Sequence, residues 1–264
     1  MTPNLYVSLV QTRLFWEDPQ ANLEWLAEKL AQLHGNSDII ILPEMFNTGF
    51  SMNTSKADTK DGKSLQWMAD MAAKHNAVIT GSLMFREGNN CFNRLVWMQP
   101  DGFFECYDKR HLFSMAGEHL HYTAGQHRLI VVYKGWKICP LICFDLRFPI
   151  WSRNALNNSS CDYDLLIYVA NWPEKRSFAW KSLLPARAIE NQAYLAAVNR
   201  IGMDGNEINY AGDSGIFNFQ GEKISLTERF GDKVETIALS AKALKDFREA
   251  FPVAASADNF QILL

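Results

Sequence analysis

Short apolar runs rich in β-branched residues recur along the chain, separated by stretches whose apolar positions fall at helical spacing. Leu5–Val10 reads as a first strand. Asp18-Pro19 then supplies an N-cap and a proline for the first helical position. Leu23, Leu26, Leu30 and Leu33 follow on one helical face, and Gly35 marks the expected end. Ile39–Leu42 predicts a buried strand stopped by Pro43. A helix near Leu65–His75 and a strand near Val78–Leu83 come next. Phe92–Met98 and Phe103–Tyr107 flank the turn signal Pro100-Asp101-Gly102, and Leu129–Tyr133 and Trp136–Cys143 flank Lys134-Gly135, so both pairs read as hairpins. A strand at Leu165–Ala170, a helix within Ser177–Asn191, strands at Tyr194–Asn199 and Gly215–Phe219, and a helix at Ala241–Ala250 complete the pattern. Strands alternating with helices, with a few hairpins, predict an α/β protein built on a mixed sheet covered by helices.

Composition narrows the setting. The 264 residues suffice for one large core, and without repeats, low-complexity tracts or a Pro- or Gly/Ser-rich linker the expectation is one domain over residues 1–264. A net charge of -3 with scattered Lys and Arg argues against nucleic acid or an anionic membrane as partner. The start, Met1-Thr2-Pro3-Asn4, has no basic segment leading into an apolar one, and no apolar run approaches the roughly 20 residues that span a bilayer. Five cysteines, an odd number without framework spacing, fit reduced thiols in the cytoplasm.

Three segments put a reactive side chain where an apolar strand gives way to a loop, the usual place for a site in layered α/β proteins. Ile40-Ile41-Leu42-Pro43-Glu44 delivers a carboxylate among apolar neighbours, suited to proton transfer. Tyr107-Asp108-Lys109-Arg110-His111 offers a fixed cation that could stabilise an oxyanion and acidify a nearby thiol. Ile138–Cys143, followed by Phe144-Asp145-Leu146-Arg147-Phe148-Pro149 and an expected helix, ends a strand in a thiol beside free backbone N–H groups. Singly, each also reads as an ordinary loop carboxylate, a solvated charge run and a buried structural cysteine. A Cys–His dyad through His111 or His119 is the rival arrangement. Cys139 and Cys143 could share one strand face, yet no Cys-x-x-Cys or close His pair accompanies them, so no metal is expected.

Taken together and in this order, Leu-Pro-Glu at 42–44, Tyr-Asp-Lys-Arg-His-Leu-Phe at 107–113 and Cys-Phe-Asp-Leu-Arg-Phe-Pro at 143–149 closely resemble the nitrilase superfamily of carbon–nitrogen hydrolases. The likeness runs from Leu5 to about Phe219. It implies a four-layer α-β-β-α sandwich, a catalytic set of Glu44 (base), Lys109 and Cys143 (nucleophile), and Glu118 as a second, orienting glutamate. It also implies an oxyanion held by Lys109 and the backbone N–H of Phe144, no cofactor, and a homodimer. One departure is Ile150, where many members have Glu after the proline. Leu-Pro-Glu-Met-Phe-Asn-Thr-Gly-Phe at 42–50, Glu-His-Leu-His-Tyr at 118–122 and Ala-Asn-Trp-Pro at 170–173 look most like bacterial omega-amidases, which act on 2-oxoglutaramate and 2-oxosuccinamate. Arg147 is then the nearest cation for the substrate carboxylate, unless it pairs with Asp145 or Glu118. Trp172 with Phe113 or Phe46 would confine the short chain. Nitrilase or N-carbamoyl amidase chemistry, or an inactive ligand-binding or redox-sensing relative, are the alternatives.

Overall fold

The computed structural model describes residues 2–33, 35–157, 160–258 and 261–262. The early strands, apolar and buried on both faces, build a six-stranded sheet. β1 (Leu5–Gln11), β2 (Ile39–Ile41) and β3 (Val78–Glu87) run parallel, with Val7 opposite Ile39 and Ile41 opposite Thr80. β4 (Asn90–Met98) and β5 (Phe104–Asp108) extend it antiparallel beyond β3. The second sheet has the order β14-β11-β10-β7-β6. It centres on parallel β7 (Trp136–Ile142), β10 (Leu165–Ala170) and β11 (Tyr194–Asn199), edged by antiparallel β6 (Val131–Tyr133) and β14 (Gly215–Phe217). β15 (Lys233–Leu239), which the sequence pattern did not announce, closes the first sheet against β1. Two short pairs lie outside the sheets: β8 (Leu156–Asn157) with β9 (Ser160–Cys161), and β12 (Ile201–Met203) with β13 (Asn209–Ala211).

Alternation sorts the core into layers. Leu5, Val7, Leu9, Ile39 and Ile41 join β7 and β10 residues in the apolar layer between the sheets. Val10, Ile40, Ile79 and Val96 face the other way, onto α1 (Pro19–Leu30) and α2 (Lys63–His75). After the short α3 (Glu118–His121), Trp180, Leu184 and Ala188 of α4 (Ser177–Asn191) and Leu244 of α5 (Ala241–Ala250) cover the outer face of the second sheet. The result is helix, sheet, sheet, helix, as the resemblance implied. Asp18 caps α1 as expected, its carboxylate accepting from Ala21 N–H at 3.1 Å. The helix ends at Leu30, five residues before Gly35, because Ala31 already closes it with a bond to Ala27 C=O; Leu33 packs on the core from outside the helix. Among the described residues, no helix is long and apolar enough to cross a membrane.

Candidate active site

The ends of β2, β5, β7 and β10 meet on one side of the sandwich. After β2, Pro43 turns the chain and Met45 takes a left-handed backbone (φ +42°). Its N–H donates to Ser82 Oγ at 2.8 Å, which holds Glu44 facing inward. Lys109 continues β5 by one residue, its N–H bonded to Asn93 C=O at 3.0 Å and its own C=O receiving Gly125 N–H at 2.9 Å. A Cβ on Gly125 would stand 2.0 Å from Asp108 O, so only glycine lets this loop clamp the lysine. Cys143 follows β7 directly and also has φ +42°, a costly conformation for a non-glycine residue that lifts the thiol out of the strand. The segment after it is a single 3-10 turn, Cys143–Arg147, ended by Phe148-Pro149, and the helix expected beyond is only a turn over 149–152.

These side chains form one buried cluster. The Lys109 ammonium donates to Glu44 Oε1 at 2.8 Å and to Glu118 Oε1 and Oε2 at 3.1 and 3.0 Å. Of its three protons, one serves Glu44 and one is shared by the two Glu118 oxygens, which leaves one for a ligand. Asn93 Nδ2 bridges the same acids, at 2.8 Å from Glu44 and 3.0 Å from Glu118, with its Oδ1 fixed by Ser82 Oγ. Asn171, after β10, donates its backbone N–H to Glu44 Oε2 at 2.7 Å and its amide to Glu44 C=O at 2.6 Å. The Cys143 thiol lines the same cleft as the Glu44 carboxylate, whose charge acts on it. Glu118 also receives Phe113 N–H. Every partner of Glu118 is a donor, so it is held as a carboxylate even though burial and nearby Glu44 push its pKa up.

Burial pushes the Cys143 thiol well above the ordinary cysteine range, and Glu44 pushes the same way; Lys109 opposes them and is outweighed. Lys109 does draw the thiol's pKa down, in the expected direction, but not far enough: two carboxylates and one ammonium already sum to one negative charge, and a thiolate would add a second in a buried place. Moving the thiol proton onto Glu44 leaves that sum unchanged. Lys109 itself is held above its usual value by the two glutamates, against its burial.

A cleft of about 1060 Å³ opens over the cluster, lined by Glu44, Lys109, Cys143 and Asn171 and walled by Phe113, Phe144, Arg147 and Trp172. Glu118 and Asn93 stand behind this lining. Arg147 lies over the Trp172 ring at 5.1 Å and pairs with neither Asp145 nor Glu118. Phe46 does not confine the cleft: it is buried on the helix side of the first sheet, 5.8 Å from Trp67, because the Met45 turn sends it there. Phe50, from the same loop, reaches the cleft instead, with Trp16 and Tyr210. The histidine dyad is not formed. His111 binds Asp145 at 2.8 Å and stacks on Phe148 at 3.7 Å, and His119 is exposed. Among the described residues, no group of three or more His, Cys, Asp or Glu is placed to hold a metal ion.

Asp145 fixes the turn that carries the thiol. Its oxygens accept from Ile142 N–H (3.0 Å), Tyr107 OH (2.7 Å) and both His111 N–H (3.1 Å) and His111 Nδ1 (2.8 Å), while Trp151 donates to Tyr107. Asp145→Asn would turn one acceptor into a donor facing donors. It is expected to cost about 2–4 kcal/mol and to lower the melting temperature by roughly 5–10 °C. An unchanged thermal melt would refute this role.

The chain matches the Carbon-nitrogen hydrolase family over residues 6–249. It is 46% identical to "Omega-amidase YafV" of Escherichia coli K12, covering 98% of this chain and 99% of that protein. It is 31% identical to "2-oxoglutaramate amidase" of Bacillus subtilis, over 94% and 95% of the two chains. Among solved structures, a CN-hydrolase superfamily protein of Xanthomonas campestris with an arsenic adduct in its active site superposes with a TM-score of 0.95 at 46% identity, covering 98% of this chain and 99% of that one. With a fold, a sequence match and full-length relatives in agreement, this chain belongs to the carbon–nitrogen hydrolase family.

Proposed function

We propose that the protein is an omega-amidase that hydrolyses the terminal carboxamide of 2-oxoglutaramate or 2-oxosuccinamate to the 2-oxo dicarboxylate and ammonia. The observation that carries the reading is a single carboxylate, Glu44, bonded to the Lys109 ammonium and acting on the Cys143 thiol beside it, in a cleft that also presents Arg147. The relatives named omega-amidase and 2-oxoglutaramate amidase support the choice of amide.

Glu44 takes the thiol proton as Cys143 sulfur attacks the amide carbon. The carbonyl oxygen, now an oxyanion, lies against the remaining proton of Lys109 and the backbone N–H of Phe144. Glu44 passes its proton to the amide nitrogen, the C–N bond breaks, ammonia leaves and a thioester remains. Water then gives a proton to Glu44 and attacks the thioester. The C–S bond breaks, the thiol is reprotonated and the carboxylic acid is released. Asn171 and Asn93 keep the Glu44 oxygens aimed through both halves, and Glu118 anchors Lys109 from behind. Phe113, Phe144 and Trp172 exclude water from a short chain, and Arg147 meets its carboxylate.

Ammonia release is expected to be fastest with 2-oxoglutaramate or 2-oxosuccinamate in a panel that also contains nitriles and N-carbamoyl amino acids. No ammonia from any linear amide would sink the proposal, and a preference for nitrile or carbamoyl substrates would move the enzyme to another branch. The same reading makes the protein a cytoplasmic homodimer. Its five free cysteines and the exposed Phe178 and Ile189, three turns apart on α4, support it. A monomeric sedimentation profile at micromolar concentration would refute the dimer.

A further inference from the structure

We propose that Arg176 forms, with Arg147, a two-guanidinium seat for the substrate's carboxylate and adjoining oxo group, and that Arg176 selects acid-terminated amides over neutral ones. This rests on the amidase reading above and extends it to a residue that no motif in the sequence singled out. Arg176 is half-buried at the start of α4 and lines the same cleft as Cys143. Its guanidinium lies 4.9 Å over the Phe113 ring, as that of Arg147 lies 5.1 Å over Trp172.

Neither guanidinium has a carboxylate partner among the described residues, and the acids nearby are already engaged. Glu174 is bound by Arg229 at 2.5 Å and by Asn209 at 2.7 Å; Asp213 receives Ser177 Oγ at 2.7 Å. Of the acids lining the cleft, Glu17 accepts from Ser51 and Asn53, and Asp204 from two backbone N–H groups and Tyr210 OH. The acceptor oxygens of these acids are therefore occupied, while neither guanidinium has its donors taken by a carboxylate.

Geometry matches the charge. A guanidinium stacked on a ring commits its face and keeps its in-plane N–H donors free, the fork that reads a carboxylate. Both supporting rings are tied to the reacting centre. Phe113 N–H binds Glu118 and its ring meets Phe144 edge-on at 5.0 Å; Trp172 directly follows Asn171, which binds Glu44. The seat thus shares one cleft with the thiol, which suits a substrate that carries an amide at one end and a carboxylate at the other.

The test compares wild type with Arg176→Met and Arg176→Lys on 2-oxoglutaramate, succinamate and neutral butyramide. With Arg176→Met, the ratio of kcat/KM for 2-oxoglutaramate to that for butyramide is expected to fall roughly 30–100-fold, mainly through KM. Arg176→Lys should recover part of the ratio, because it restores charge without the fork. An equal loss on both substrates, or no loss, overturns the assignment while the amidase reading stands. If wild type ignores 2-oxoglutaramate yet prefers succinamate to butyramide, and Arg176→Met erases that preference, the substrate reading fails and the anion seat survives. A wild type that prefers butyramide to every acid-terminated amide overturns both.

Discussion

Cys143→Ala protein is expected to fold as the parent does and to release no measurable ammonia from 2-oxoglutaramate, a loss of at least about 10⁴-fold in kcat. The reason lies in the order of events the cluster imposes. With the thiol protonated at rest, Glu44 has a proton to take only if a sulfur is there to attack as the proton leaves. Alanine removes both the electron pair and the proton. Water in the vacated space could still be activated by Glu44, but it would have to expel ammonia directly, without the thioester that splits one hard step into two easier ones. Cys143→Ser should be nearly as inactive, since a hydroxyl is a far weaker acid than a thiol and the same carboxylate must deprotonate it. Stability should barely move: the side chain is small, its left-handed backbone is retained, and Lys109, Glu118 and Asn93 keep one another without it. Two measurements check the prediction. Ammonia assays compare the variants, and mass spectrometry of rapidly quenched wild type should find the acyl group on the peptide that contains Cys143. Substantial turnover by Cys143→Ala, or an acyl group on any other residue, would overturn the assignment.

How much of this was readable before the coordinates depends on what kind of information each residue carries. Glu44, Lys109 and Cys143 each follow an apolar run by one to three residues, but that local signal fits ordinary loop residues as well, and it was their joint resemblance to the carbon–nitrogen hydrolases that made them candidates. Their convergence was not local; it follows from β2, β5, β7 and β10 ending on one side of two stacked sheets. Asn93 and Asn171 escaped notice for the opposite reason. Asn93 sits within β4, where a polar residue reads as an outward position, yet its face of the strand is the buried one behind the acids. Asn171 was noticed only as part of a loop, since its bonds to Glu44 span 127 residues of sequence. β15 was missed because KVETIAL alternates weakly and lies half-buried at a sheet edge. Phe46 was misplaced by the backbone: a left-handed Met45 reverses the side on which the next residue emerges, and no propensity favours that conformation for methionine. Pattern and resemblance together therefore named the candidate residues, while the groups packed around them needed the topology.

Lys109→Met should be as damaging as loss of the nucleophile, and it should leave a different signature, because it removes charge from the centre of the cluster. Among the described residues, Lys109 is the sole cation paired with these two buried carboxylates, 2.8 Å from Glu44 and 3.0 Å from Glu118. Without it the acids share only the Asn93 amide, and breaking a buried pair in this way is expected to cost about 3–5 kcal/mol at neutral pH. One of the two carboxylates must then take a proton. If that proton stays on Glu44, the base is lost; with it goes the oxyanion donor, itself worth about 10²–10³ in kcat. A combined loss of roughly 10⁴-fold follows. The pH dependence gives the sign. In wild type the lysine pKa is raised by its partners, so its stabilisation is complete below the free-lysine value of about 10.4 and is lost only above it. In the variant the carboxylate that becomes protonated has a raised pKa. Its penalty is absent below the free-glutamate value of about 4.3 and grows as pH rises towards the folded-state pKa. The gap in melting temperature between the two proteins should therefore be wider at pH 8 than at pH 5. Lys109→Arg keeps the charge in a bulkier shape, and should recover stability before it recovers turnover. A stability gap that does not change with pH, or a Lys109→Met enzyme with near-parental kcat/KM, would show that this ammonium does not hold the two acids in their working state.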